Sequence, residues 1–350
     1  MEEILADLRR WLGAGRAVAL ATLLAFERSS PRGAGAAMAL NEHGEVAGSV
    51  SGGCVEGDLY ERLRAVLASG ESAVVDYGIS DEQGFAVGLS CGGTIHLFVE
   101  RLEGAGWWLE RLGASGPLAL ATVVRGSQAG ARLVVTEDGA APAGGTGDPA
   151  LDGAIVAAAR DMLARGRTGL VLDGSVFVAS RAPQPRLFVF GAVEFSRALA
   201  RAGSLLGYHV TIADARPVFA TAERFPEADE VMCRWPHEVL AEAGLQPRDA
   251  VCVLTHDLKF DVPALKVALR SPAGYVGALG SRRTQARRRE ALLADGLTPA
   301  ELDRLAAPIG LDIGGDTPAE FAVSVLAEIV ALAHGRAGGR LTASRGEAPA

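Results

Sequence analysis

Two short stretches of this 350-residue chain set a cysteine beside paired glycines: "SVSGGC", ending at Cys54, and "SCGGT", around Cys91. A thiol is a small hydrophobe by default. It becomes chemically useful where the backbone admits a partner and the surroundings favour the thiolate. Paired glycines supply the first condition, because they adopt conformations and close approaches barred to other residues. A helix start supplies the second: "VEGDLYERLRAVL", directly after Cys54, has apolar residues at helical spacing. Ser51, Gly52, Gly53 and Cys54, and likewise Cys91, Gly92 and Gly93, are therefore candidate binding residues, and their N–H groups can also converge on an anion. Glu56 and Asp58, in the first turn of that helix, oppose a strongly depressed thiol pKa. Cys233 and Cys252 read as inert core residues, the latter inside the buried strand pattern "DAVCVLTHD". A third Gly-rich stretch, "ERSSPRGAGAAMAL", has Arg28 and Arg32 flanking Ser29-Ser30-Pro31; it is either an oxyanion clamp or a solvated hairpin loop.

The elements that must position these residues repeat themselves. "LRRWLGAGRAVALATLLAFERSS" aligns with "WLERLGASGPLALATVVRGSQAG", and "CVEGDLYERLRAVLASGESAVVDYG" with "ALDGAIVAAARDMLARGRTGLVLDG". Each half reads as helix, strand, hairpin, helix and strand, so the simplest account is one pseudo-duplicated N-terminal α/β domain. Where the first half has "SVSGGCVEGD" the second has "GGTGDPALDG", without a nucleophile. "FAVGLSCGGTIHLFVE", which carries Cys91, is expected to have no counterpart after the second half.

"SRAPQPRLFVFG" is a proline-marked linker running into a buried strand, which sets a domain boundary near residue 183 and domains of 1–183 and 184–340. "PRLFVFGAVEFSRALARAGSLLGYHVTIADARP" then opens a doubly wound parallel sheet of Rossmann type, with Asp214 ending its second strand where a ribose-binding acid belongs. The phosphate fingerprint is damaged: GxGxxG needs glycines at 191, 193 and 196, and the chain has Gly191, Val193 and Ser196. Ordinary NAD(P) binding is therefore disfavoured. His256, in "THDLKFD", and Arg282 and Arg283, in "GSRRTQARRRE", follow later strands at the edge where open α/β sheets collect ligands; the acid/base histidine would be His256, and the two arginines suit a phosphorylated ligand. The alternative for all three is a solvated surface.

The formal charge of −8 disfavours nucleic-acid binding. No apolar run approaches the length of a membrane span, and the N-terminus lacks a secretory pattern, so a cytoplasmic protein is expected. The four cysteines form no CxxC pair and no two histidines stand in an HxxxH relation, which argues against a sequence-local metal site.

Together, "SSPRGAGAAMAL", "GSVSGGCVEGDL", "YGISDEQGFAVGLSCGGTIHLFVE", "GYHVTIADARPVFATAERFPEADEV", "YVGALGSRRTQARRRE" and "PIGLDIGGDTPAEFAVSVLAEIV" resemble the XdhC/CoxI family. The resemblance implies a carrier rather than a catalyst. It would bind the molybdopterin-type molybdenum cofactor transiently and protect it while a cysteine desulfurase supports its sulfuration. It would then deliver it to a xanthine dehydrogenase- or CO dehydrogenase-type molybdenum hydroxylase apoenzyme. Cys54, with Cys91 nearby, would face the molybdenum, and Gly191, Asp214, His256, Arg282 and Arg283 would hold the pterin or its nucleotide extension. A homodimer is a candidate assembly. The rival readings are an NAD(P)-dependent oxidoreductase using the second domain and a cofactor-free docking scaffold.

Overall fold

The computed structural model describes residues 1–27, 32–78, 93–137, 141–340 and 342. The chain divides into two compact units, one of Met1–Pro183 and a second that begins at Gln184. In the first unit, one repeat comprises α1 (Leu5–Gly13), β1 (Val18–Glu27), β2 (Ala37–Asn41), β3 (Val46–Gly48), α2 (Glu56–Ser69), β4 (Ala73–Tyr77) and β5 (Thr94–Arg101). The other comprises α3 (Gly106–Gly113), β6 (Leu118–Val123), β7 (Arg132–Thr136), β8 (Ala143–Gly144), α4 (Pro149–Arg165), β9 (Gly169–Val171) and β10 (Val176–Arg181). Each repeat forms a five-stranded sheet in the same order, β3-β2-β1-β5-β4 and β8-β7-β6-β10-β9. The steric demands repeat as well. A Cβ added at Gly48 or at Gly144 would lie 2.2 Å from the carbonyl oxygen of Ala37 or Arg132, and both glycines hold positive φ.

Alternation along the strands fixes the layers. Ala19, Ala21 and Leu23 of β1 pack with Leu59 and Leu63 of α2, and Ala119, Ala121 and Val123 of β6 with Ile155, Ala159 and Leu163 of α4. The opposite faces, Leu20 and Ala39 from one sheet and Leu118, Leu120 and Val134 from the other, share a third core with Trp11 and Trp108. The unit is a helix–sheet–sheet–helix sandwich.

The strand after "SCGG", expected to lack a counterpart, has one. β10 sets Ala179 opposite Leu120 as β5 sets Glu100 opposite Leu20. Only the connection differs. β9 turns into β10 through the four-residue loop 172–175, with Leu172, Asp173 and Gly174 at φ 49°, 53° and 75°. Between β4 and β5 run residues 78–93, of which 79–92, with Cys91 and Gly92, lie outside the described residues.

The second unit contains β11 (Arg186–Phe190), α5 (Glu194–Leu205), β12 (His209–Ala213), β13 (Glu230–Met232), α6 (Pro236–Glu242), β14 (Ala250–Val253), α7 (Leu258–Arg270), β15 (Tyr275–Ala278), α8 (Arg282–Ala294), α9 (Pro299–Leu302), β16 (Leu305–Ala306) and α10 (Pro318–Ala333). Its strands are parallel, in the order β13-β12-β11-β14-β15-β16. Numbered within the unit this is 3-2-1-4-5-6, the order of dinucleotide-binding doubly wound sheets. α5 and α10 cover one face; α6, α7, α8 and α9 cover the other. Among the described residues no helix is long and apolar enough to cross a membrane.

Candidate functional site

The loop before α2 is organised around one carboxylate. Glu56 accepts hydrogen bonds from the backbone N–H groups of Val50 (3.2 Å), Ser51 (2.8 Å), Gly53 (2.8 Å) and Val55 (3.2 Å), and from the hydroxyls of Ser49 (2.6 Å) and Ser51 (2.5 Å). Gly52 and Gly53, at φ 76° and 117°, provide the left-handed turns that point these donors inward. Burial alone would raise the Glu56 carboxyl; the hydroxyl and N–H donors outweigh it and pull the pKa down to about 2. The converging N–H groups anticipated for an external anion thus serve an internal one. The second repeat does the same with less: Asp152, aligned with Glu56, accepts from Thr146 N–H (2.8 Å) and its hydroxyl (2.7 Å). The carboxylate belongs to the scaffold.

Cys54 does not, because the aligned residue is Ala150. Its N–H donates to Ser51 Oγ at 3.0 Å, and its half-buried side chain packs beside the α2 core. Register shows what surrounds this loop. β3 ends at Gly48 opposite Met38, near the start of β2, while β1 runs on to Glu27 opposite Thr94 and β4 ends at Tyr77 opposite Ile95. The Cys54 loop, residues 32–36, Gly78 and the buried Gly93 therefore lie at one end of one sheet. Arg28, Ser29, Ser30 and Pro31 are outside the described residues, while Arg32 pairs with Glu3.

At this same end stand groups that sequence reasoning does not find. His96 Nδ1 lies 2.7 Å from Asp76 Oδ1, and its Nε2 lies 3.8 Å from Glu27. Tyr77 donates to Asp58 Oδ2 at 2.6 Å; burial and that carboxylate push the phenol up to about 12. Asp76 and His96 face each other only because β4 pairs with β5 across a long connection, so no local spacing announces them. No group of three or more His, Cys, Asp or Glu among the described residues could hold a metal ion.

In the second unit, Gly191 (φ 107°) leaves β11 where an added Cβ would come 3.0 Å from Thr255. Asp214 ends β12 buried, with both oxygens engaged. Oδ2 accepts from Ala192 N–H (2.9 Å) and Arg216 Nη2 (2.7 Å), and Oδ1 from Arg216 N–H and Nε (2.9 Å each). Burial works to raise its pKa, and the Arg216 and backbone donors win, holding it below the ordinary carboxylate value. His256 is exposed between β14 and α7; Arg282 and Arg283 are exposed at the start of α8, which Ser281 caps through Thr284 N–H. β14 and β15 are neighbours, so these three residues share the carboxyl edge of the sheet.

Two expectations need correction. Cys233 is exposed, not core, because it follows the three-residue edge strand β13 and lies beyond the sheet. Cys252 is buried as expected, and burial raises its thiol pKa. Arg288, within the arginine-rich stretch "GSRRTQARRRE" that reads as a local positive patch suited to a phosphorylated ligand or as a solvated helix face, is fully buried. Its Nε (3.0 Å) and Nη2 (2.5 Å) hold Asp261, while Nη1 reaches Gln285 and Nη2 also reaches the carbonyls of Thr255 and Leu279. It ties together the loops that follow β14 and β15.

Fold and sites define a two-unit protein: a duplicated sandwich that carries a thiol in one repeat, and a Rossmann-type sheet. The sequence model of the XdhC and CoxI family matches residues 11–78 and 112–173, one stretch in each repeat, and that of the XdhC Rossmann domain matches residues 187–329. The chain is 30% identical over 316 residues to a Bacillus subtilis protein described as a probable subunit of xanthine dehydrogenase, covering 89% of this chain and 92% of that one. It belongs to the XdhC and CoxI family. It is also 28% identical to the molybdenum cofactor insertion chaperone PaoD of Escherichia coli, over 92% of this chain and 85% of that one. A crystal structure described as a xanthine dehydrogenase from Bacillus halodurans matches with a TM-score of 0.55 and 25% identity, covering 97% of this chain and 98% of that one.

Proposed function

We propose that this protein is a cytoplasmic maturation factor that binds the molybdenum cofactor as cargo and protects it during sulfuration by a cysteine desulfurase. It then delivers the cofactor to a molybdenum hydroxylase apoenzyme. Family membership and the similarity to a protein named as a cofactor insertion chaperone support the class. The observation that carries the site is Cys54: a half-buried thiol at the one loop position where the first repeat holds a nucleophile and the second holds Ala150. A soft thiolate suits a sulfur-bearing molybdenum centre. The N–H groups around it are occupied by Glu56, so the loop presents the thiol and leaves a phosphate to be held elsewhere. The test is expression in a host that makes the cofactor, followed by mass spectrometry of pterin released from the purified protein. Wild type should carry pterin, and Cys54→Ser should carry less and fail to mature a client hydroxylase. A Cys54→Ser protein that loads and matures like wild type would sink the assignment.

A further inference from the structure

The two sheets of the first unit have the same strand order and present equivalent faces to each other. Leu20 and Ala39 of the first sheet correspond to Leu120 and Val134 of the second, and all four lie in the core that the sheets share. Apolar matching of this kind does not say which sheet packs on which. Nothing in these four residues stops a sheet from packing on its own copy, supplied by a second molecule of this chain. The repeats are joined through residues 102–105 alone, and short hinge loops invite exchange of this kind.

One pair of positions breaks the equivalence. Glu100 of β5 and Arg132 of β7 form an ion pair between the sheets, with side chains 4% and 8% exposed. Register gives their equivalents: Glu100 faces Leu20 as Ala179 faces Leu120, and Arg132 faces Thr122 as Ala37 faces Thr22. The pseudo-symmetric contact is therefore alanine with alanine. Ala179 and Ala36, the neighbour of Ala37, line one cavity there. On the charged side, burial raises the Glu100 carboxyl pKa, and Arg132 is the group that opposes the rise. The Arg132 guanidinium lies 4.7 Å from the centroid of the Trp108 ring and donates to the Gly130 carbonyl at 3.0 Å. Ring and carbonyl hold it in place, but neither carries a charge to balance it.

We infer that the Glu100–Arg132 pair tells the two sheets apart: it selects packing of the first on the second within one chain and disfavours exchange of repeats between two copies. The partners in each arrangement give the reason. Packing first on second joins Glu100 with Arg132 and Ala179 with Ala37, so both charges are paired. Packing first on first sets Glu100 against Ala37 at both symmetry-related contacts, and second on second sets Arg132 against Ala179. Each like-on-like arrangement buries two lone charges of one sign, and a buried charge without a partner is strongly destabilising. The penalty falls on the wrong arrangement, which gives specificity without making the right one more stable.

The test uses the full chain, unfolded in urea and refolded at concentrations up to about 100 µM, where exchanged dimers compete with single chains. Size-exclusion chromatography with light scattering reads the species before and after dilution. Wild type should give one species, unchanged by the concentration at which it refolds. Glu100→Leu with Arg132→Met keeps volume and removes both charges, so Tm should be unchanged or raised. It should nevertheless divide, a species of doubled mass rising from below about 1% to more than about a tenth of the protein. That species should persist on dilution, because separating exchanged repeats requires unfolding. Glu100→Ala with Arg132→Ala makes all four positions alanine and should divide in the same way. A variant that folds yet returns only the wild-type species at every concentration overturns the inference. So does the failure of both variants to fold, because the pair then holds the fold together instead of choosing its partner.

Discussion

Glu56 carries the clearest pH signature in the chain. Its folded pKa of about 2 lies below the value near 4.3 of an unfolded glutamate, so its stabilising contribution is complete above pH 4.5. It is lost as pH falls from there toward 2. With the side chain part-exposed, the shift is discounted to about 2 kcal/mol at pH 7. Glu56→Gln should lose about that much in urea unfolding at pH 7, and the gap to wild type should narrow by about 1 kcal/mol at pH 3.5. A gap independent of pH would mean that the protonated carboxyl holds the loop as well as the carboxylate does. Glu56 was visible in the sequence only as a charge unfavourable to a neighbouring thiolate. Its role depends on two left-handed glycines folding the loop back over it, and the residue string alone does not show where such a loop closes. The Cys54-to-Ala150 difference, by contrast, was legible, because an internal repeat acts as its own control.

At the scale of elements, the helix, strand, hairpin, helix and strand of each repeat and the opening strand, helix and strand of the second unit were legible from periodicity. The β5–β10 equivalence was hidden because residues 78–93 in one repeat replace the four-residue loop 172–175 in the other, which puts the aligned strands out of step. α8 shows a different limit. Three successive arginines, Arg287, Arg288 and Arg289, look alike in sequence, yet only Arg288 turns inward, toward Asp261 of α7. A buried pair is costly to break from one side, since the remaining charge loses its partner in a dry interior. Arg288→Met should destabilise the second unit by about 3–5 kcal/mol. Adding Asp261→Asn should recover part of that loss, because the orphaned charge is then removed. Denaturant melts of the two single variants and the double variant measure this directly, and strictly additive losses would show that Arg288 acts through its carbonyl contacts alone.

For the whole molecule, the fold and the ligand that it usually binds point in different directions. The second unit has the strand order of a dinucleotide-binding sheet, its first turn opens with Gly191, and an acid closes its second strand. Each of these features would normally favour a nicotinamide nucleotide. The local chemistry opposes it. Val193 stands as the uncapped N-cap of α5 where a pyrophosphate needs bare backbone, and Glu194 adds a negative charge in the first turn. Asp214, the residue that would take ribose hydroxyls, spends both oxygens on Arg216 and Ala192, so a ribose would have to displace charge-assisted bonds to a buried carboxylate. Titration of the full chain with NAD and NADP, in oxidised and reduced forms, should show no saturable binding below about 1 mM, a standard free energy weaker than about −4 kcal/mol. Binding in the tens of micromolar would restore the oxidoreductase reading. It would also require Arg216 to leave Asp214 for the ligand, and Arg216→Ala would then change affinity in a direction set by whether the nucleotide carries a 2′-phosphate. If binding is absent in wild type and still absent in Arg216→Ala, the blocked ribose site is not the deciding obstacle, and the fault lies in the turn at Val193 and Glu194.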